Sequence, residues 1–537
     1  MKKTLLFLSV ALAVAPLMSQ PVFDWVHPVG HALYGETKSL VKCDAAGNII
    51  LAGGFIDTAG FGGNGVVSAG FTDIFVAKYG AGGDLEWVFR DGGTDYDYIS
   101  DLAVHEDGIY LGGTFYGVTA IGTETFESLG SQDFFISAYD SEGDFRWAQH
   151  FGSPKTDYLG AIDSDGEGNL FFTGYFYDSI TFAGTTLYAA GGSDIFLAKL
   201  DPAGSLLWIR QGSGPSSDQA YTLSCDGEGN VLLTASYFYS IEIGDTLLTT
   251  ANPTGVFFAK FDGEGNLLFA RQADGNGLIA RSLGVFDPEG NICFGGNFSD
   301  QLSIGPYLFD AGAFNVDVFI SRYSPDGNLL WAGHGQGGGS DQLIALSAGP
   351  FNDVYLTGHY LEDIHFDDLT IPYTLCCGSA EIFIVRYTSD GTPAWGEQIS
   401  GERAMVESVA KNQHDELFVS GMFQFELAFG SNILTGEHDY DNFITGIMTG
   451  TYTTISDPET PLSARLYPVP ARNHAVLEAD AGPWLFNITD IHGRYQTQGR
   501  FSGSTRIDLQ SFPPGIYFVR LNNIRGDMQQ SLSLIKK

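Results

Sequence analysis

The sequence predicts an all-β chain: a ring of seven small sheets followed by one short Ig-like β-sandwich. Three observations carry that expectation. Glycine and aromatic residues are abundant, with Gly 70 and aromatic 14% of 537 residues, while charged residues reach only 17%. Apolar runs are short and end on glycine-rich turns, as in strands joined by tight turns, not helices. The third is self-similarity. "LDPAGSLLWIRQGSG" (Leu200 to Gly214) recurs as "YSPDGNLLWAGHGQG" (Tyr323 to Gly337) and "YDSEGDFRWAQHFG" (Tyr139 to Gly152).

The chain opens with "MKKTLLFLSVALAVAPLMSQ", which places Lys2 and Lys3 before an apolar run from Leu5 to Ala15. That run is short for a bilayer span and has secretory-signal flanks, which predicts a signal peptide over 1–19 cut near Ser19–Gln20. The expectation is an exported chain without a transmembrane helix.

Three landmarks then keep phase to residue 450. The aromatic of the quoted stretch falls at Trp25, Trp87, Trp147, Trp208, Phe269, Trp331 and Trp395. A turn leading into an apolar run recurs at Gly47, Asp107, Gly168, Gly229, Gly290, Asn352 and Asp415. The "DIFVAKY" type of run begins at Asp73, Asp133, Asp194, Gly255, Asp317, Glu381 and Asp441, in steps of 60, 61, 61, 62, 64 and 60 residues.

Each landmark reads as a strand. "DIFLAKL" is a nearly continuous apolar run between turns, as expected where both faces are covered. "LGAIDSD" (Leu159 to Asp165) supplies another strand, and "ITFAGTTLYAAG" (Ile180 to Gly191) a variable hairpin. Four strands and a hairpin per period fit one blade of a β-propeller, which buries its faces only against neighbouring blades. Residues 20–450 are therefore predicted to form seven blades. The last period lacks its Trp strand, and "FDWVHPVG" (Phe23 to Gly30) is a spare one. Strand exchange between the two ends of the region would close the ring and remove two open edges. The units resemble the bacterial β-propeller repeat called SBBP and, more distantly, the Trp-docking repeat of quinoprotein dehydrogenases.

After Gly450 the period stops. "TYTTISDPETPL" (451–462) reads as a linker. Residues 463–537 alternate strands and turns: "AVLEAD", "WLFNITD", "RIDLQSF", "GIYFVRL" and "SLSLIKK". They suit a small sandwich. This segment resembles the type A C-terminal sorting domain of the type IX secretion system of Bacteroidota. The match lies in "LYPVPA" (Tyr467, Pro468, Pro470), "ITDIHGR" (Asp490, Gly493), "DLQSFPPGIYFVRL" (Pro514, Gly515, Tyr517) and the terminal "SLIKK" (Lys536). It departs at Val469, where the family usually has Asn. The resemblance implies passage through the periplasm, recognition by the type IX machinery, and release or attachment to surface lipopolysaccharide.

Lys+Arg 26 against Asp+Glu 64 gives a formal net charge of −38. Such a surface repels phosphate backbones, so nucleic acid is not an expected partner. The five cysteines, Cys43, Cys225, Cys293, Cys376 and Cys377, have neither metal-ligand spacing nor a disulfide framework, so free buried thiols are expected.

The chemistry-bearing patterns are few. The "DGEGN"-type turns at Asp165, Asp226, Asp262 and Asp287 lack the distant bidentate Glu of a calcium loop and suit hairpin turns. A second acidic series, Glu36, Asp97, Asp157, Asp218 and Asp341, is broken by Ile279 and Ala404. It would form a cation-binding ring, calcium being the one cofactor considered, or tie blade strands through backbone hydrogen bonds; its recurrence favours the second reading. His334 stands apart, and His359 and His365 lie among Glu362, Asp363, Asp367 and Asp368 without zinc spacing. Tyr-rich "TFYGVT", "GYFYDS" and "SYFYSI" offer rings for sugars, though most are expected between blades. No nucleophile elbow, P-loop or HExxH motif occurs. The leading expectation is a non-enzymatic, exported or surface-attached binding or adhesion scaffold with a glycan or protein ligand. The alternative is a polysaccharide-active surface enzyme on the same fold.

Overall fold

The computed structural model describes residues 22–31, 38–61, 64–80, 82–106, 108–375, 379–412, 416–429, 432–436 and 440–448, together with seven strands and residues 509, 512 and 513 within 464–536. Ser19, Gln20, Glu36, Asp107, Cys376, Cys377, Asp415, Pro468, Pro470, Gly493 and Pro514 lie outside the described residues. Every regular element described is a β-strand. No helix among them is long and apolar enough to cross a membrane. The chain divides into two compact units, Pro21–Thr449 and one containing Gly450–Lys537.

Within the first unit each period builds the same antiparallel sheet. Ser39–Cys43, Ile49–Phe55, Asp73–Tyr79 and Leu85–Asp91 are hydrogen-bonded in that order, as are Asp97–His105, Gly108–Phe115, Asp133–Asp140 and Phe145–Phe151. In the next period the second and third strands lengthen into the hairpin, giving Leu170–Phe182 and Thr185–Leu200. The third strand is the apolar run, and Asp73–Tyr79 is buried along its whole length because sheets cover both its faces. Successive sheets share cores: Phe134, Ile136 and Ala138 pack with Phe172, Phe176 and Phe196 of the following period.

Two devices recur between periods. The first joins the landmark Trp to a glycine turn. A Cβ on Gly143 would meet Trp87, on Gly204 Trp147, on Gly265 Trp208, on Gly327 Phe269 and on Gly391 Trp331. The glycine face lets the ring lie flat on the next period's turn, and the indole N–H finds a carbonyl there: Trp147 donates to Pro202 O at 3.0 Å, Trp208 to Gly263 O at 3.0 Å and Trp331 to Ser389 O at 3.1 Å. Gly265 also holds φ +78°, with its hypothetical Cβ 3.0 Å from the Trp208 ring. Gly265→Ala should therefore destabilise the unit by about 1–3 kcal/mol through positive φ and a displaced ring, read as a lower urea midpoint. An unchanged midpoint would mean that the ring does not depend on the glycine.

The second device is a cationic clamp on the third strand. Lys199 Nζ lies 3.0 Å from Asp165 of its own period and 3.4 Å from Gly263 O of the next. Lys260 does the same with Asp226 and Pro325 O, and Arg322 with Asp287 and Ser389 O. Asp165 Oδ1 also accepts the backbone N–H groups of Glu167 and Asn169 at 3.0 and 2.9 Å. Against the push of burial, Asn169 and Lys199 hold its carboxyl below the ordinary range. These aspartates cap turns, with the donors of an Asx turn around them.

The last sheet is completed from the start of the chain. Val22–His31 pairs with Asp441–Met448, that strand with Glu416–Phe423, and Glu416–Phe423 with Met405–Lys411. Trp25 faces Gly446, the sixth residue of its partner strand, as Trp87 faces Lys78 and Trp208 faces Lys199. Trp25 then packs on Gly83 of the first period as the other aromatics pack on their glycines. The innermost strand of the first period also meets the two inner strands of the last: Val41 N–H donates to Ser408 Oγ at 3.2 Å, and Ser420 Oγ to Ser39 O at 2.6 Å.

In the second unit, Ala464–Tyr467, His474–Ala479 and Ser504–Asp508 form one sheet. Tyr495–Phe501, Trp484–Asp490, Gly515–Asn523 and Gln529–Lys536 form another. Ala475, Leu477 and Ile507 share a core with Trp484, Ile488, Tyr517 and Val519, so the two sheets bury one common layer.

Candidate functional site

The recurring carboxylates sit at the joints between periods. Asp97, Asp157, Asp218 and Asp341 are each fully buried at the start of an innermost strand. Their backbone N–H groups donate back to the preceding period, at Thr72, Gln132, Ser193 and Val316 O, over 2.7–3.1 Å. Beside each lies the buried first residue of the preceding third strand, Asp73, Asp133, Asp194 or Asp317. That second carboxylate has an outer-strand partner: Arg90 at 2.5 Å, His150 at 2.6 Å, Gln211 at 2.7 Å or His334 at 2.7 Å respectively.

Burial pushes Asp97 and Asp157 up to about 7 and Asp218 and Asp341 up to about 8, and the neighbouring carboxylate adds to the rise. Ser153 beside Asp157, and the Gly214 and Phe238 N–H groups beside Asp218, offset only part of that rise. Where Ala404 replaces the innermost Asp, the remaining Glu381 is instead saturated by Tyr360, Thr374 and Ser400. Two buried carboxylates at a joint thus raise one of them toward protonation, while a lone one is met by protein donors. Among the described residues, no group of three or more His, Cys, Asp or Glu is arranged to hold a metal ion.

The sheets surround a cavity of about 260 Å³ lined by residues of seven innermost segments, among them Lys42, Asp101, Asp163, Thr222, Leu283, Leu346 and Glu407. Burial pushes the Lys42 ammonium down, but Asp101 and Asp163 outweigh it and hold the group above its ordinary range. Both carboxylates are also committed to backbone: Asp101 accepts Ile162 N–H at 3.0 Å and Asp163 accepts Cys225 N–H at 2.8 Å, each from the next period. Thr222 and Ser224 receive Gly284 and Phe286 N–H in the same manner, both at 3.1 Å. Spacing alone did not mark this lining, because the carboxylates of Asp101 and Asp163 and the hydroxyls of Thr222 and Ser224 are different solutions to one backbone need.

The histidines are not brought together. His359 Nε2 accepts Val406 N–H of the next period at 2.9 Å, His334 pairs with Asp317, and His365 meets Thr370 in the exposed hairpin. Asp363 accepts Tyr373 N–H at 2.8 Å. The thiols of Cys43, Cys225 and Cys293 are free. Burial raises all three, Cys293 to about 12, which removes them from thiolate chemistry.

The Tyr-rich segments divide by strand alternation. Phe115, Phe176 and Tyr237 are buried between sheets, whereas Tyr116, Tyr175 and Tyr177 are half-buried and Tyr239 is 57% exposed. More rings therefore reach the surface than the sequence suggested.

In the second unit Tyr517 Oη donates to Pro513 O at 2.6 Å and its ring packs on Phe512 at 5.1 Å, which fixes the turn before Gly515. Tyr467, Asp490 and Lys536 stand on strands of the two sheets, Asp490 opposite Tyr517. Residues 465–536 match the family described as the secretion system C-terminal sorting domain. The chain carries a type IX sorting domain. That domain indicates a protein secreted or attached to the cell surface, and it implies the type IX machinery as a partner.

Other similarities concern the first unit or the whole chain. An uncharacterized WD repeat-containing protein of Acanthamoeba polyphaga mimivirus is 21% identical over 74% of this chain and 36% of its own length. The regulatory protein FlaEY of Caulobacter vibrioides is 31% identical over 18% of this chain and 11% of its own. The chain thus spans about a third or less of the curated relatives it matches. Among solved structures, PorZ, a surface component of the type IX system of Porphyromonas gingivalis, is 11% identical over 96% of this chain and 93% of its own, with a TM-score of 0.15. A puromycin hydrolase variant is 10% identical over 76% of this chain and 59% of its own, with a TM-score of 0.33.

Proposed function

We propose that this chain is an exported seven-bladed propeller that works by binding, delivered by type IX secretion and then released or attached to surface lipopolysaccharide. Support for the ring comes from the outer-strand register of Trp25 and the hydrogen bonds joining the first and last periods. SBBP-type blades account for the repeat, and cleavage near Ser19–Gln20 for entry to the periplasm. The non-enzymatic reading rests chiefly on one observation. The recurring carboxyls that burial raises most, Asp97, Asp157, Asp218 and Asp341, are spread over four different joints, and the charged cavity residues Asp101 and Asp163 are engaged by backbone of the next period. Such groups serve the scaffold, whereas catalysis concentrates a few non-repeating groups in one pocket.

Two measurements test this. Incubated with neutral and acidic polysaccharides, the protein should release no reducing ends; steady release abolished by a point substitution would overturn the binding reading. In a host with type IX secretion, a chain ending before residue 464 should remain in the periplasm while the whole chain reaches the surface or medium. Equal export of both would overturn the route.

A further inference from the structure

Aromatic rings, half-buried except for the exposed Phe71, form an arc over the first four periods. Phe71 stacks on Tyr96 at 4.8 Å and Tyr96 on Tyr98 at 6.0 Å, while Tyr116 meets both tyrosines edge-on at 6.4 and 6.5 Å. In the third period Tyr158 stacks on Tyr175 at 4.6 Å, and Tyr175 meets Tyr177 at 6.3 Å. The two groups adjoin: burial, then the proximity of Tyr116 and Tyr177, raises the Tyr158 hydroxyl.

The blade does not require these rings. Positions equivalent to Tyr98 and Tyr158 hold Gln219, Gln342 and Met405 in other periods, and those equivalent to Tyr116 and Tyr177 keep a ring at Phe238 but hold Ile56, Ser299, Leu361 and Gln424 elsewhere. A scaffold residue recurs with its blade, as Trp87 and Gly143 do, but this cluster does not. Contiguous exposed aromatic surface on an exported protein marks an interaction site.

We propose that this arc binds a neutral glycan, sugar rings stacking on the tyrosine faces. It rests on the binding reading above and names its ligand class. Charge argues for the ligand's neutrality, since a chain of formal charge −38 repels nucleic acids and sulfated or uronic polymers. The charged side chains adjoining the rings, Asp95 beside Gly117 and Asp178 after Tyr177, are acidic as well, and uncharged groups stand among them: Tyr116 Oη donates to Gln132 at 3.0 Å, and Tyr221 Oη to Gln219 at 2.8 Å. Carboxamides and phenols of this kind suit sugar hydroxyls. Pre-stacked rings lose little freedom when covered, which favours affinity over reorganisation.

The test is affinity electrophoresis of the whole chain through laminarin, mannan, xylan, pullulan or dextran. At least one polymer should retard the protein, and Tyr158→Leu with Tyr175→Leu should weaken that retardation at least tenfold while the unfolding midpoint stays near wild type. A second measurement needs no variant: nitration of Tyr96, Tyr98, Tyr158 and Tyr175, mapped by mass spectrometry, should fall at least fivefold with the retarding polymer. Retardation by none of the five polymers, or undiminished nitration of the arc, would overturn the proposal. Neither result touches the non-enzymatic reading, which stands or falls on reducing-end release.

Discussion

A chain lacking residues 22–31 should lose several kcal/mol of stability and associate through its exposed edge. The deleted strand removes Val29, fully buried, and the Trp25 ring packed on Gly83, losses that ordinarily amount to about 2–5 kcal/mol each for large buried side chains. It also bares the Asp441–Met448 strand, whose register with Val22–His31 runs from Met448 to Asp441. A long unpaired edge templates further pairing, so light scattering should rise with concentration. A synthetic peptide of residues 22–31 should restore the urea midpoint when supplied in trans, as an added strand does at an open sheet. The same midpoint with and without the strand, and no peptide binding, would show that the ring does not depend on this closure.

Raising the pH from 5 to 8.5 should destabilise the repeat unit markedly, and Asp→Asn substitution at the joints should remove much of that loss. Asp97 and Asp157 lie near 7 and Asp218 and Asp341 near 8, against about 4 in an unfolded chain. Between these limits the folded state holds a proton that the unfolded state has released. Stability therefore falls as pH rises through that window and levels off above it. Each group contributes a slope of up to about 1.4 kcal/mol per pH unit. General repulsion on so acidic a chain acts in the same direction, so the informative quantity is the difference between wild type and the Asp157→Asn, Asp218→Asn pair. Thermal unfolding across pH 5–8.5 measures it. Parallel curves for the two proteins would mean that these carboxyls are not protonated in the fold.

Much of the scaffold was legible because it is written seven times. The Trp strand, the Asp-capped turn and the apolar third strand recur in phase, and each has a local physical reason that survives without a partner. What was not legible depends on neighbours sixty residues away. Nothing in "DYLGAIDSD" distinguishes Asp157, buried beside Asp133, from Asp163, which accepts a backbone proton from Cys225. Likewise "GYFYDS" shows three adjacent aromatic positions, and strand alternation alone sends Phe176 inward and Tyr175 and Tyr177 outward. The pairing of Trp208 with Gly265 is equally hidden, although Trp208 is a repeat landmark and Gly265 lies in the turn that Asp262 begins. The sorting domain was readable for another reason: several ordered motifs, and not one, carry it.

The bond from Thr445 Oγ1 to Trp25 O, at 2.8 Å, joins residues 420 positions apart. The strand Val22–His31 packs on the first period but has no pairing strand until Asp441–Met448 has been made. A chain interrupted at an intermediate period would keep that strand unpaired and leave an open sheet edge, both of them templates for misassembly.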